Sequence, residues 1–189
     1  MDLRGHEFVF GYGSLAALGD GVAPSRTPRA EGFVCDLHGY RRQWGVAMDN
    51  RRDLPGYKHY TDELGRRPAV FVCFLDVETD PRGSVNGLCL PVDRVALAAL
   101  DERERNYERV DVSASVDAGG ARVWAYVGAR ASRLRMRWAV AAHRAVIDGR
   151  YLEMVTDGFS ALGAGELERC ADSLSPGLLP VVALTRHDH

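Results

Sequence analysis

From the N-terminus to about Gly128, the chain consists of short apolar or alternating runs separated by turn residues, a pattern typical of β-strands. The segment Arg122–Val127, for example, alternates between valine or alanine and larger polar or aromatic residues, which predicts a strand buried on one face. The predicted strands are Glu7–Phe10, Phe33–His38, Tyr40–Met48, Val70–Val77, Val85–Val92, Glu108–Val116 and Arg122–Val127. Closely spaced strands with few helices between them favour a barrel or a strongly curled sheet.

One helix is predicted within this β-rich region. Asp93 is a favourable N-cap residue, and the following segment Arg94–Arg103 has a helix-forming composition. Val95, Ala98 and Ala99 fall on one side of that helix. We expect these three residues to form its apolar face.

Helical patterns dominate the C-terminal region of the chain. Helices are predicted over Ala131–Ile147, Tyr151–Leu162 and Glu166–Ser173, and a glycine precedes each of the last two. The first carries apolar residues at helical spacing, namely Leu134, Trp138, Ala141, Ala142 and Ala145. Because no linker separates the two regions, we expect one α+β domain over residues 1–189, in which helices within residues 131–175 pack on a β-rich region formed by residues 1–128.

Composition and charge narrow the function classes. Hydrophobic residues make up 46% and charged residues 26% of the 189 residues, which is typical of a soluble globular protein. The net charge of -2 gives no electrostatic basis for binding nucleic acid or an anionic membrane. The N-terminal residues lack the pattern of a secretory signal. Four scattered cysteines without a CxxC pair favour buried free thiols over disulfides or zinc ligands, so we expect a cytoplasmic protein.

A glycine-flanked loop follows the first predicted strand, with the sequence Gly11-Tyr12-Gly13-Ser14-Leu15. Neither glycine carries a Cβ, so the backbone can turn sharply there and approach a ligand closely. Consecutive N–H groups in such a turn can point at one spot and form a concave anion site. The loop therefore predicts a site for a carboxylate or a phosphate.

Two other interpretations of this loop are weaker. Gly11-x-Gly13-x-x-Ala16 matches a relaxed dinucleotide-binding fingerprint, but Gly19, Gly21 and Pro24 interrupt the long helix that this motif requires. A hydrolase with Ser14 as nucleophile is disfavoured, because the motif is not the G-x-S-x-G elbow.

A second informative segment, Leu100–Tyr107, lies where the predicted central helix ends. A solvated helix end is the simpler explanation of its mixed charges. Glu104 nevertheless has an unusual position, since the helix dipole and the neighbouring carboxylates of Asp101 and Glu102 favour its protonated form, while flanking arginines favour the charged form. A carboxylate balanced between the two forms is suited to general acid–base catalysis.

Taken together and in this order, these segments resemble the gamma-glutamylcyclotransferase superfamily, particularly its ChaC-like and bacterial members. The resemblance covers most of the chain. The segments that carry it are Gly11–Leu15, Gly39–Trp44, Val85–Leu88, Leu100–Glu104 with the following Tyr107, Tyr126, Tyr151–Val155, Gly158-Phe159 and Leu162-Gly163.

The resemblance implies a small mixed β-barrel flanked by helices and an enzyme that releases 5-oxoproline from gamma-glutamyl compounds. It implies that Gly11 to Leu15 (Gly11, Tyr12, Gly13, Ser14 and Leu15) bind the gamma-glutamyl group, that Glu104 transfers the proton, and that Tyr126 contacts the substrate.

The chemistry agrees with these residues. A gamma-glutamyl substrate contains its own nucleophile, because its α-amine can attack its γ-carbonyl and close a five-membered ring. Such a reaction requires no cofactor, no metal and no serine or cysteine nucleophile. The leaving group stays open between glutathione, a gamma-glutamyl amino acid and a gamma-glutamyl amine. The long polar connection Asp49–Arg67 is either a solvated loop or a contact to that group.

A non-enzymatic function is the alternative. A member of this fold could bind a small carboxylate ligand or a protein partner without turning it over, because a fold does not guarantee an activity.

Overall fold

One long antiparallel pair of strands organises the structure, a computed structural model that describes residues 3–17, 32–52 and 57–188. β2 (Phe33–Asp49) and β4 (Phe71–Pro91) are paired over almost their full lengths. The sequence predicts two strands in each of these segments, and that prediction is wrong. Register shifts at Gly39 and Gly45 bend the ribbon without ending it, and Gly39 adopts a left-handed φ of 79°.

The remaining elements complete a mixed sheet with helices around it. In chain order they are β1 (Glu7–Gly11), β3 (His59–Thr61), α1 (Arg94–Arg103), β5 (Tyr107–Asp111), a 3₁₀ turn (Ser113–Ser115), β6 (Arg122–Gly128), α2 (Arg130–Ala141), β7 (Ala145–Asp148), α3 (Gly149–Leu162), α4 (Glu166–Leu174), β8 (Val181–Val182) and β9 (Thr185–His187).

The sheet has the strand order β5-β6-β1-β4-β7-β8, with β2 also paired to β4. β1 is parallel to β6 and antiparallel to β4, so the sheet is mixed. The sheet curls so far that an isolated bridge between Leu37 and Val116 joins the segment after β5 to β2. The predicted α+β class with a strongly curled sheet is therefore confirmed, although no continuous ladder closes a barrel among the described residues.

A large cluster of buried apolar side chains joins the sheet to α3 and α4. It contains Phe10 of β1 and Val123 of β6 together with Val155 and Phe159 of α3 and Cys170 of α4. All five side chains are fully buried. Helices α3 and α4 thus complete the core that the sheet begins.

The segment predicted as one helix over Ala131–Ile147 contains two elements. Helix α2 ends at Ala141, His143 turns the chain with a φ of 51°, and Ala145 pairs with Phe71 as the first residue of β7. A short apolar run is compatible with either a buried strand or a helix. Residues 145–148 form a strand here because they pair with an edge of β4.

The predicted apolar faces of α1 and α2 are also wrong. In α1, Leu97 and Leu100 are buried, whereas Val95 is 78% exposed. In α2, Trp138 is 69% exposed and the side chain of Ser132 is buried. A helix of ten or twelve residues can bury any of several faces, and its packing against the sheet determines which face is buried.

All four cysteines are free, as predicted, and three of them are buried. Cys35 is only partly buried, and its sulfur lies 2.9 Å from that of Cys89. None of the helices in the described ranges is long and apolar enough to cross a membrane. The glycines and the proline that argue against a dinucleotide-binding helix, Gly19, Gly21 and Pro24, lie outside the described residues.

Helix α1 is bounded as the sequence predicts, and Asp93 caps it by accepting a hydrogen bond from the Ala96 amide at 2.7 Å. We expect Asp93→Ala to lower the free energy of unfolding by about 1 kcal/mol, because the Ala96 amide loses its acceptor. Urea denaturation measures the change. Asp117→Ala is the control, since Asp117 is exposed and caps no helix, and an equal loss in both variants would contradict the capping role.

Candidate active site

The loop after β1 folds back on itself in two tight turns. The Ala16 amide donates to the Gly13 carbonyl at 2.9 Å, and the Ala17 amide donates to the Ser14 carbonyl at 3.2 Å. The amides of Gly13, Ser14 and Leu15 make no hydrogen bond with the residues that the structure describes. The anion site that the sequence predicts for this loop would use these three successive donors.

Close packing requires a glycine at position 11 and leaves little room for a Cβ at position 13. Neither has a positive φ, so the loop does not depend on the left-handed conformations that glycine permits. A Cβ on Gly11 would lie 2.7 Å from the Ala16 amide nitrogen and 2.8 Å from the Leu15 carbonyl carbon. A Cβ on Gly13 would lie 3.1 Å from the Tyr151 hydroxyl. The loop therefore closes tightly on its own backbone and on α3.

A small cavity of about 30 Å³ brings together most of the residues that the sequence singled out. Glu104 and Tyr126 line it, as do the loop residues from Tyr12 to Leu15, whereas Gly11 does not. The cavity is completed by residues that the sequence analysis did not assign to the site, namely Leu75, Tyr107 and Tyr151. Its volume suits one small group such as a carboxylate.

Glu104 is held firmly at the end of α1. Its amide donates to the Leu100 carbonyl and its carbonyl accepts from the Tyr107 amide, each at 2.8 Å. Its side chain is 14% exposed, and Arg103 Nε lies 3.2 Å from its carboxylate. Glu102, by contrast, is exposed and lines neither this cavity nor the larger one beside it. The geometry therefore favours Glu104 over Glu102 as the functional carboxylate.

Three tyrosine hydroxyls around the cavity donate hydrogen bonds to other groups of the protein. Tyr12 donates to the Tyr126 carbonyl, Tyr126 donates to Asp101 Oδ1 at 2.8 Å, and Tyr107 donates to the Leu75 carbonyl at 2.7 Å. Burial raises the pKa of all three phenols, so they are neutral at ordinary pH. The predicted contact of Tyr126 with substrate stays a prediction.

We expect Tyr12→Phe to lower the free energy of unfolding by about 1–3 kcal/mol, because the Tyr126 carbonyl loses its buried donor. Chemical denaturation followed by circular dichroism measures the change. Tyr40→Phe is the matched control, since the Tyr40 hydroxyl makes no hydrogen bond within the described residues. If both variants unfold at the same denaturant concentration as the wild type, the Tyr12 hydroxyl has no structural role.

A larger cavity of about 240 Å³ adjoins the first. Ser14, Glu104, Tyr107 and Tyr151 line both cavities, so these four residues mark the junction. The larger cavity is also lined by Tyr57, Lys58 and Tyr60, which belong to the long polar connection. A portion of that connection thus faces the site.

Buried amide side chains fix the connection in place. Asn106 donates to the Tyr57 hydroxyl at 2.6 Å and accepts from Arg135 at 2.7 Å. Asn50 accepts from the Tyr60 amide at 2.8 Å and donates to the Tyr60 carbonyl at 2.9 Å. The part of the connection that contains Tyr57 and Tyr60 is therefore anchored, while residues 53–56 lie outside the described ranges.

The arrangement brings an acidic side chain and the glycine-flanked loop to the same cavity. Glu104 lines the same small cavity as Gly13, Ser14 and Leu15. A carboxylate there can move a proton, and the amides can bind a carboxylate or a developing oxyanion. Within the described ranges, no three His, Cys, Asp or Glu side chains are grouped so that they could hold a metal ion.

Comparisons with known proteins place the chain in a family. A crystal structure of YkqA from Bacillus subtilis has a TM-score of 0.54 at 15% identity, over 94% of this chain and 56% of that one. An uncharacterised protein from Homo sapiens has a TM-score of 0.48 at 14% identity, over 88% of this chain and 85% of that one. A gamma-glutamyl cyclotransferase structure also has a TM-score of 0.48, at 13% identity, over 89% and 86%.

The first of these structures supports the fold alone, and this chain spans just over half of its length. A comparison with curated protein sequences finds no match. The profile of one protein family, however, matches residues 9–151, which is well over half of the chain and includes both the loop and Glu104. The chain therefore belongs to the family of gamma-glutamyl cyclotransferase, AIG2-like proteins.

Proposed function

We propose that the protein is a gamma-glutamylcyclotransferase, which cyclises the gamma-glutamyl half of its substrate and releases 5-oxoproline and a free amine. One observation carries the proposal: Glu104 lines the same small cavity as Gly13, Ser14 and Leu15, whose amides make no hydrogen bond with the described residues. Membership of the family supports it.

In this reaction the substrate's α-amine attacks its γ-carbonyl carbon, and the γ-carbonyl oxygen becomes an oxyanion. The bond from the γ-carbon to the leaving nitrogen then breaks, and the five-membered lactam remains. Holding the amine and the carbonyl in attack geometry contributes roughly 7–11 kcal/mol to such intramolecular reactions. The enzyme's main contribution is therefore to fold the substrate.

Glu104 takes the proton that the α-ammonium must lose and returns it to the leaving nitrogen. One carboxylate can serve both steps because, once the α-amine has added, both nitrogens are bonded to the same γ-carbon. Its location supports this role, since Glu104 stands where the small and the large cavity meet. Proton transfer of this kind typically contributes about 10²–10⁴-fold to the rate.

The amides of the loop bind the substrate's negative charge. The small cavity, with about 30 Å³, is too small for a whole gamma-glutamyl group. We infer that it receives one oxygen-bearing group, either the α-carboxylate or the γ-carbonyl oxygen as it becomes negative. The rest of the substrate then extends into the larger cavity.

The test is 5-oxoproline release by the purified protein from glutathione, gamma-glutamyl amino acids and gamma-glutamyl amines. Release from at least one of them, at a rate proportional to protein concentration, is the expected result. If none is turned over while 5-oxoproline raises the melting temperature, the protein is a ligand-binding member of the family and the proposal is wrong.

A further inference from the structure

The larger cavity is lined by an excess of positive side chains. Five cationic residues contribute to it, namely Lys58, Arg103, Arg105, Arg150 and Arg186. The acidic residues in its lining are Glu104 and Asp148. Since the whole chain has a net charge of only -2, this concentration of positive charge is local to the cavity.

The two acidic residues neutralise only part of this charge. Glu104 is paired with Arg103 at 3.2 Å. Asp148 caps α3 by accepting a hydrogen bond from the Arg150 amide, and burial raises the pKa of its carboxyl. Arg186 is paired with Asp188 at 2.6 Å. Among the lining residues that the structure describes, Lys58 is thus a partly buried cation that no carboxylate binds directly.

Lys58 lies among aromatic rings. Its ammonium is 4.4 Å from the centre of the Phe74 ring and 5.9 Å from that of the Tyr57 ring. No hydrogen bond or ion pair joins it to any residue in the described ranges of the chain. Burial, and next the charge of Arg186, lower the pKa of the ammonium to about 8, although the negative charge of Glu104 acts in the opposite direction. A bound anion would compensate the loss of hydration that this amine suffers.

We propose that Lys58 binds a carboxylate on the leaving half of the substrate, so that the enzyme prefers gamma-glutamyl amino acids or peptides over gamma-glutamyl amines. This inference rests on the proposed function. The bond that breaks lies beside Glu104, at the junction of the cavities, and the leaving half therefore occupies the larger one. A neutral amine would leave Lys58 without a counter-ion, and a cationic amine would be repelled by it.

A kinetic comparison tests this preference. Gamma-glutamylalanine and gamma-glutamylalaninamide have the same shape and differ in one charge. We expect wild-type kcat/KM to be about 10- to 100-fold higher for the acid, the ratio typical of a charge-assisted hydrogen bond. Lys58→Met should reduce the ratio to within about 3-fold of unity, and Lys58→Arg should keep most of it. Gamma-glutamylputrescine, with a cationic leaving group, should be the poorest substrate.

Arg137→Met is the matched control, because Arg137 is an exposed cation on α2 outside both cavities. It should leave the acid-to-amide ratio unchanged. Equal turnover of the acid and the amide by the wild type, or an unchanged ratio in Lys58→Met, would overturn the inference and leave the proposed function intact.

A chemical measurement tests the same contact without turnover. Lys58 is the sole lysine of the chain, so an amine-reactive reagent has a single lysine target that mass spectrometry can follow. In the Glu104→Gln variant, gamma-glutamylalanine should slow the modification of Lys58, and the amide at equal concentration should not. Selective protection without any wild-type turnover would support the carboxylate site and refute the proposed function. Equal modification rates with both compounds would refute the carboxylate site.

Discussion

Glu104→Gln is expected to lower kcat/KM for 5-oxoproline release by about 10²–10⁴-fold. Glutamine keeps the shape of the side chain but cannot accept and return a proton at ordinary pH. The backbone of residue 104 ends α1 through bonds that this substitution does not touch, so the variant should fold. A coupled or chromatographic assay of 5-oxoproline measures the effect, and circular dichroism establishes that the fold is retained.

Glu102→Gln is the control for this variant. Glu102 carries the same charge on the same helix but is exposed and faces neither cavity, so its substitution should change kcat/KM by less than about 3-fold. A large loss in Glu102→Gln with near-normal turnover in Glu104→Gln would reverse the assignment of the two carboxylates.

Gly11→Ala is expected to lower the free energy of unfolding by about 1–3 kcal/mol and to reduce activity together with stability. The new methyl group would lie 2.7 Å from the Ala16 amide nitrogen, an atom of the backbone within the same tight turn. The turn must open to make room for it. Because the next residues present the free amides, opening the turn would also disturb the anion site.

Gly149→Ala separates this effect from the general cost of replacing glycine. Gly149 begins α3 at a negative φ, and a Cβ there would lie 3.6 Å from its nearest neighbours, an ordinary contact. The alanine variant should therefore be as stable as the wild type or slightly more stable. Urea denaturation compares the two variants. Should Gly11→Ala unfold no earlier than Gly149→Ala, the tight turn would not depend on the missing Cβ.

Predictions from the sequence are correct where a local feature, such as a capping residue or a glycine-containing turn, agrees with the tertiary structure. The Asp93 cap begins α1 where the helix propensity begins, and the Gly11–Leu15 segment forms the expected turn. The proximity of that loop to Glu104 could not be derived from spacing, because it depends on how β1 and the end of α1 meet in the sheet. The resemblance to a family supplied that link.

The rest of the site depends on packing that no local pattern records. Tyr107 and Tyr151 look like ordinary aromatic residues of a strand and a helix, yet they line the cavity with Glu104. In the sequence, Lys58 is only one residue of a long polar connection. The structure shows that it lines the larger cavity and lies against the Phe74 ring. The buried faces of α1 and α2 could not be predicted from the sequence either, because packing against the sheet determines them.

A crystal structure of the wild-type protein with 5-oxoproline bound would show whether one cavity holds both the anion site and the proton-transfer group. We expect a carboxylate or lactam oxygen of 5-oxoproline within hydrogen-bond distance of the amides of Gly13, Ser14 or Leu15. The Glu104 carboxylate should contact the lactam. A product molecule bound elsewhere, with neither the loop amides nor Glu104 in contact with it, would refute the shared site.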